Sequence, residues 1–365
     1  MTRTKILGAV LAKPQEPLGI HELLIDEPLP GEVRLRILAA GLCHSDLHYL
    51  DGTLPIDLPA VLGHELMGEI VAVGDADAVD RIGERAVVTI TPSCGICDQC
   101  SAGFSTRCTR VTRRRYRSRP KVVTKHGEPV NLLGSIGGFA EQVIVPAAAA
   151  IPVPVDLSPS AGCLLGCCIA TGFGAVVHGA SVSPLDTVAV IGCGGVGIAA
   201  LQAARISGAR QVIAIDVHEE KLERARNFGA TDALLSGSDI IEQVQKVCPG
   251  GVTKSFEAVG SPATADLSFE ILSAGGVATV LGLERPGSRI SLDAALLIEG
   301  DRRIQGAYMG SNQMARDVLG YVDHYRSGAL ELDQMVTSRW KFEQINEGFA
   351  AMREPGAIRS VVEFI

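Results

Sequence analysis

A chain of 365 residues, 47% hydrophobic and 20% charged, has material for two buried cores and reads as an ordered globular protein. Its 33 basic and 41 acidic residues leave a formal charge of −8, which disfavours phosphate backbones and anionic bilayers; nucleic acid and membrane are excluded as main partners. No apolar run is long enough to span a bilayer, and the opening MTRTKILGAVLAKPQEP breaks at Lys13-Pro14 without a signal-peptide core, so a cytoplasmic location is expected.

The first 165 or so residues carry short half-buried strands, EVRLRILAAG, GEIVAVG and ERAVVTI, bounded by Gly, Pro and Asp turns and with little helical period. A β-rich domain, a distorted barrel, is expected there. In a reducing compartment its cysteines read as metal ligands or buried packing rather than disulfides. The segment CGICDQCSAGFSTRC places Cys94, Cys97, Cys100 and Cys108 on one loop with Cys-x₂-Cys spacing. Four thiolates fill the tetrahedral sphere of Zn²⁺ and leave no position for water or substrate, so this zinc is expected to be structural. Unliganded thiols and an iron–sulfur cluster are the competing readings, and the spacing is not that of the ferredoxins. The run RVTRRRYRSRPK at 110–121 follows directly. It reads either as a solvated face or as a patch in which Arg113, Arg114, Arg115 or Arg117 steers an acidic substrate toward a cleft.

From about 186 to 309 six Val- and Ile-rich runs alternate with segments of helical period, from DTVAVIG to RRIQGAYM. This pattern predicts a doubly wound parallel sheet. The first strand runs into GCGGVG, where Gly192, Gly194, Gly195, Val196 and Gly197 make the turn and open a helix. Gly192 permits the tight turn, Gly194 lets a pyrophosphate approach the backbone, and Gly197 allows close helix–strand packing. Asp216, ending the next strand, is expected to accept hydrogen bonds from both ribose hydroxyls and repel a 2′-phosphate, so NAD is expected over NADP, with Lys221 assisting at the ribose edge. An ordinary helix N-cap is the competing role for Asp216. Beyond residue 310, QMARDVLGYVDHYRSG and FEQINEGFAAMRE read as helices and RSVVEFI as a last strand returning to the first domain. The expected division is 1–168 with 310–365, and 169–309.

Three further segments of the β-rich part carry soft or borderline metal ligands: GLCHSDLHYLDG at 41–52, LGHELMGE at 62–69 and LLGCCIATGFGA at 164–175. Together with the cysteine loop and GCGGVG, over nearly the whole chain, they resemble the zinc-dependent medium-chain alcohol dehydrogenases, in the branch with both a catalytic and a structural zinc. The resemblance implies an α/β protein with a β-rich GroES-like catalytic domain and a Rossmann cofactor domain, two Zn²⁺ per chain, NAD, and a homodimer formed through the last strands of two cofactor domains. It makes Cys43, His64 and Cys167 the catalytic zinc ligands, with the fourth position open to water or the substrate oxygen. It puts Glu65 behind the metal and has Asp46 orient His64; Ser45 and His48 form the proton path. Thr171 would contact the nicotinamide ring, and His44 and Arg359 the pyrophosphate. The pocket wall would include Ile90, where the family often has an aromatic residue, with Leu54 and Leu283. The implied substrate is a medium-sized primary or aryl alcohol or its aldehyde. Cys168 stands where a glycine commonly follows the ligand cysteine and could perturb the site or replace Cys167, although the LLGC register favours Cys167. Cys163, Cys193 and Cys248 read as small buried hydrophobes. Two other functions compete: the glutathione-linked formaldehyde dehydrogenase branch, from which the loop after Cys108 departs in length and charge, and a non-catalytic nucleotide-binding homologue, which would need a broken ligand set.

Overall fold

The computed structural model describes residues 3–113, 120–354 and 356–364. Arg114, Arg115 and Arg117 of the basic run lie outside the described residues, and Arg113 is described only by its backbone, at the end of the short helix Thr109–Arg113. The chain forms two compact units. One runs to Cys167 and takes in Gln313–Asp323 and the tail from Leu332; the other comprises Cys168–Asn312 and His324–Glu331.

The first unit is built on two sheets. A five-stranded sheet has the order Val122–Thr124, Gly19–Ile25, Thr4–Leu11, Ala60–Val61, Asn131–Leu132. A seven-stranded sheet is organised around Glu32–Leu42, in which Val33, Leu35 and Ile37 alternate with more exposed residues, the period of a strand with one face on a core. That strand pairs antiparallel with Glu65–Val73, Gln142–Pro146 and the C-terminal strand Arg359–Glu363. Between the sheets lie fully buried Leu35, Leu66, Phe139 and Ile144, and Phe139 meets Phe349 edge-on at 5.7 Å and 82°. Two registers position the site. Gly41 faces Glu65, so residues just after one strand and just before the other, Cys43 and His64, share one end of the sheet. Ser360 faces Leu42, which brings Arg359 to the same end. A Cβ on Gly41 would lie 2.7 Å from Glu65 Oε1, so any larger residue here would have to displace the buried Glu65 side chain.

The second unit holds a six-stranded parallel sheet in the order Asp232–Leu235, Gln211–Asp216, Thr187–Ile191, Val252–Glu257, Leu272–Val280, Arg303–Gly306. All six are the expected strands. Thr187–Ile191 is buried along its length, as a strand covered on both faces by helices must be. The stretch 324–331 belongs with this unit rather than with the rest of the tail: Gln202 Oε1 accepts the Glu331 N–H at 2.7 Å, and His324 stacks on Phe173 at 5.6 Å. Among the described residues no single helix is long and apolar enough to cross a membrane.

Asp186, just ahead of the first strand of this sheet, accepts the N–H and hydroxyl of Ser183, each at 2.8 Å, and the hydroxyl of Thr253 at 2.7 Å. Burial raises its pKa, but the hydroxyl and amide donors outweigh burial and hold it below the usual carboxylate value. A depressed carboxylate contributes stability that is present above about pH 4 and is lost as pH falls through the lower folded-state value. The Tm gap between wild type and Asp186→Asn is therefore expected to be full at pH 7 and to close below about pH 4. A gap independent of pH would assign the effect to hydrogen-bond geometry alone.

Candidate active site

Cys43 precedes the helix His44–Leu50 as its N-cap, His64 enters the strand Glu65–Val73, and Cys167 follows the turn Cys163–Gly166. Gly166 lies so close to the neighbouring strand that a Cβ would fall 2.5 Å from the Val88 carbonyl oxygen. One ligand atom from each of the three residues lies within 4.8 Å of the others, all buried, with Cys167 Sγ 3.4 Å from His64 Nε2. Tetrahedral zinc with bonds of about 2.0–2.3 Å requires ligand atoms about 3.5–3.8 Å apart, so the three donors fit the metal with little movement. The protons are shared unequally. Cys43 is held well below the usual thiol value, first by the hydrogen bond from Cys167 and, against burial, by the charges of Arg359 and His64. Cys167, which keeps the proton of the pair, is pushed well up. Metal binding replaces that proton, as thiolate ligands require.

Asp46, with no exposed surface, organises the ligands. Its Oδ1 is 3.2 Å from His64 Nδ1 and accepts the Gly63 N–H at 3.0 Å, while Oδ2 accepts the Cys43 N–H at 3.2 Å. Holding Nδ1 leaves Nε2 for a metal and fixes the ring plane. Burial opposes a charge on His64, but Asp46 and then Cys43 outweigh it and raise its pKa well above the ordinary histidine value. Asp46→Asn is expected to weaken zinc binding at this set by about 10–100-fold in chelator competition. An unchanged affinity would remove Asp46 from the support of the ligand.

Behind these residues Glu65 is fully buried, 3.5 Å from Arg359 Nη2, and Arg359 Nη1 donates to the Leu42 carbonyl at 3.3 Å. Burial raises the Glu65 pKa to about 7, partly offset by the Arg359 charge and reinforced by Cys43. Arg359 is thus 3% exposed and held against Glu65. On the adjacent helix His44 is exposed, and Ser45 and His48, three residues apart and half-buried, share one face.

The second cluster is complete in itself. Sulfurs of Cys94, Cys97, Cys100 and Cys108 lie within 4.8 Å of one another, with Cys97 3.4 Å from Cys100 and 4.0 Å from Cys108. Backbone N–H groups of Cys100 and Thr109 lower the Cys97 thiol to about 6, whereas burial and the neighbouring Cys97 raise Cys100 to about 12. Four sulfurs fit a closed tetrahedral zinc, and Val111 packs beneath them.

In the second unit Gly192 has φ +92°, Gly194 caps the helix Gly195–Ile206, and a Cβ on Gly197 would lie 1.8 Å from the Gly192 carbonyl oxygen. Nothing lies within 4 Å of where a Gly194 Cβ would sit, leaving room for a phosphate at the helix N-terminus. Asp216, 7% exposed, accepts the Cys193 N–H at 2.7 Å through Oδ2 and the His218 N–H at 3.0 Å through Oδ1. The N-cap of the next helix, Glu219–Asn227, is His218 and not Asp216. Lys221, half-buried in that helix, lies near Cys193, whose thiol is raised by burial and by the Asp216 charge. Thr171, 7% exposed in the helix Cys168–Gly174, has its hydroxyl 3.7 Å from Met309 Sδ.

Residues 29–155 match the family model of the alcohol dehydrogenase GroES-like domain, and 195–323 that of the zinc-binding dehydrogenase domain. The S-(hydroxymethyl)glutathione dehydrogenase of Saccharomyces cerevisiae is 31% identical over 98% of this chain and 96% of its own. The chain belongs to the zinc-dependent medium-chain alcohol dehydrogenase family. Among solved structures, an alcohol dehydrogenase zinc-binding domain protein from Burkholderia ambifaria superimposes with a TM-score of 0.93 at 29% identity, covering 100% of both chains. Benzyl alcohol dehydrogenase from Acinetobacter calcoaceticus gives 0.90 at 29% identity, covering 99% of this chain and 100% of its own. The protein is a zinc-dependent oxidoreductase, and a protein from Sinorhizobium meliloti 1021, 25% identical with a TM-score of 0.81 over 99% of this chain and 100% of its own, has been solved bound to NADP.

In this dehydrogenase the donor that converges with Cys43 and His64 is Cys167; Cys168 is the fully buried first residue of the following helix and is not in that group. Cys163, Cys193 and Cys248 are buried thiols. Leu54 is 7% exposed, with its N–H on the His48 carbonyl at 2.8 Å, and Ile90 is half-buried. Leu283 lies in the second unit, 45% exposed. Gly134 was missed from sequence: its φ is +60°, and a Cβ there would come 2.7 Å from Ile90 Cδ1. The apolar stretch LLGSIGG, with three glycines, was the available signal.

Proposed function

We propose that this dehydrogenase interconverts a medium-sized primary or aryl alcohol and its aldehyde with NAD rather than NADP, holding two zinc ions per chain, as a cytoplasmic homodimer. The observation that carries the reading is the contrast between the two donor sets. Cys43, His64 and Cys167 are three donors and leave one position of a tetrahedral metal for substrate, whereas Cys94, Cys97, Cys100 and Cys108 leave none. Zinc at the open set supplies Lewis acidity toward an alcohol oxygen. The remaining work belongs to the chain. Asp46 keeps His64 in its ligating orientation. Ser45 Oγ takes the hydroxyl proton, and His48, on the same helix face, hands it to solvent. Gly192, Gly194, Gly195, Val196 and Gly197 receive the pyrophosphate. Asp216 and Lys221 hold the adenosine ribose, and Thr171 bounds the nicotinamide ring. In the first unit Ile90 and Leu54 give the substrate an apolar wall with more room than an aromatic residue at position 90 would leave.

The homodimer draws support from the outermost strand, Arg303–Gly306, which among the described residues pairs only with Leu272–Val280. The preceding helix leaves Leu297 41% and Ile298 78% exposed. An unpaired strand edge beside exposed apolar side chains is a template for a second copy.

The test combines metal content by mass spectrometry with a panel of alcohols and aldehydes assayed with NAD and NADP. Two zincs per chain, one removable without unfolding, and turnover of neutral alcohols with NAD are expected. A single zinc or an NADP preference contradicts the reading. S-(hydroxymethyl)glutathione belongs in the panel because the yeast relative bears that name, and a preference for it would replace the proposed substrate.

A further inference from the structure

We propose that Glu257 is a positioning residue for the nicotinamide half of the dinucleotide, its buried carboxylate joining the two turns on which that half rests; this builds on the cofactor reading above. Glu257 ends the strand Val252–Glu257 and has no exposed surface. Its Oε1 accepts the N–H groups of Val259 and Gly260 and the hydroxyl of Thr264, each at 2.8 Å. Its Oε2 accepts the N–H of Gly282 at 3.3 Å. One side chain therefore binds the turn that follows its own strand and the turn that follows the neighbouring strand, Leu272–Val280.

The two turns touch backbone to backbone around it. A Cβ on Gly282 would lie 2.1 Å from Gly260 N and 2.7 Å from Glu257 Oε2, and Gly260, at φ +90°, would place one 2.9 Å from the Leu283 carbonyl oxygen. Four donors, all neutral, converge on a carboxylate that is costly to bury. A two-oxygen acceptor satisfies all of them at once, which an amide or an apolar side chain cannot do.

The position in the sheet says what the clamp serves. Glu257 pairs with Ile191, the residue before Gly192, and Ala258 N–H donates to the Ile191 carbonyl at 2.8 Å. After Thr187–Ile191 the chain first adds strands on one side, Gln211–Asp216 and Asp232–Leu235, and then crosses to Val252–Glu257 on the other. Ligands of such sheets lie outside the carboxyl ends of the strands at this reversal. With Asp216 holding the adenosine ribose on one side, the other half of a dinucleotide extends over 258–260 and 281–283. Those turns carry Val259, 52% exposed, and Leu283, 45% exposed, apolar side chains that a bound nucleotide would cover.

The experiment measures dissociation constants of the intact enzyme for NADH, by fluorescence, and for ADP-ribose, by calorimetry, in wild type, Glu257→Gln, Thr264→Val and Thr264→Ser. In E257Q the amide nitrogen faces one of the backbone donors and leaves it unpaired. NADH is expected to bind at least about tenfold more weakly, within the about 5–150-fold range of an orphaned buried group, while ADP-ribose changes by less than about twofold. T264V should shift the NADH to ADP-ribose ratio in the same direction by a smaller factor, and T264S should restore it. Equal losses for both ligands in E257Q, or unchanged NADH binding, would overturn the proposal and leave the cofactor reading intact. Where E257Q does not fold, identical ratios in T264V and T264S overturn it. Wild-type protein that binds neither ligand overturns the cofactor reading and this proposal with it.

Discussion

Cys167→Ala protein is expected to fold, to retain one zinc of two, and to lose at least about 10³-fold in kcat/KM, because the Lewis acid contributes several kcal/mol to the transition state and each 1.36 kcal/mol is tenfold. Cys168→Ala, one residue along, is expected to keep both zincs and to stay within a few-fold of wild-type turnover. The pair is informative because both thiols are buried at the same turn and only Cys167 converges with Cys43 and His64. The fold should survive in C167A, since the sheets and the core around Leu35, Phe139 and Ile144 do not depend on the metal for their packing. Cys97→Ser is expected to remove the zinc proposed for the four-cysteine loop and to lower thermal stability, because that small lobe has little apolar core beyond Val111. Metal content, turnover and thermal melting of the three variants check this together. Loss of zinc from C168A with retention in C167A would transfer the ligand role to Cys168.

The parts of this protein legible in its sequence are those whose chemistry is local. GCGGVG, its preceding strand and its following helix are contiguous, so steric need and hydrophobic period appear in one window. The four-cysteine loop is similarly self-contained. By contrast, Cys167 and His64 are 103 positions apart and meet through strand registers that no local pattern specifies; only resemblance grouped them. Arg359 lies 317 positions from the Leu42 carbonyl it binds, so its burial against Glu65 was invisible. The strand Val336–Lys341 was missed because VTSRWK lacks a clear apolar alternation; its place is set by parallel pairing with Arg359–Glu363. The inclusion of 324–331 in the second unit likewise rests on tertiary contacts of Phe173 and Gln202.

Asp216→Ala is expected to lower kcat/KM for NAD by about 10²-fold or more, since hydrogen bonds to a charged group contribute about 1.5–3 kcal/mol each and two ribose hydroxyls are at stake. The same change is expected to raise the NADP to NAD ratio by about 10³-fold, because it also removes the repulsion of a 2′-phosphate. The geometry makes the effect larger than loss of a mobile surface acid. Each oxygen of Asp216 is already fixed by one backbone N–H, from Cys193 or His218, and retains a further lone pair for a ligand. The carboxylate is thus preorganised at a strand end, and ribose binding does not have to order it. Those same bonds supply the rival account: Asp216 could matter only by holding Cys193 within the glycine turn. The two accounts diverge in the ratio. A defect confined to the turn would weaken NAD and NADP equally, since both carry the same pyrophosphate over Gly192 and Gly194, whereas recognition at the ribose separates them. Kinetics of D216A with both dinucleotides, in low and moderate salt, decide it: equal losses would reduce Asp216 to a support for the turn.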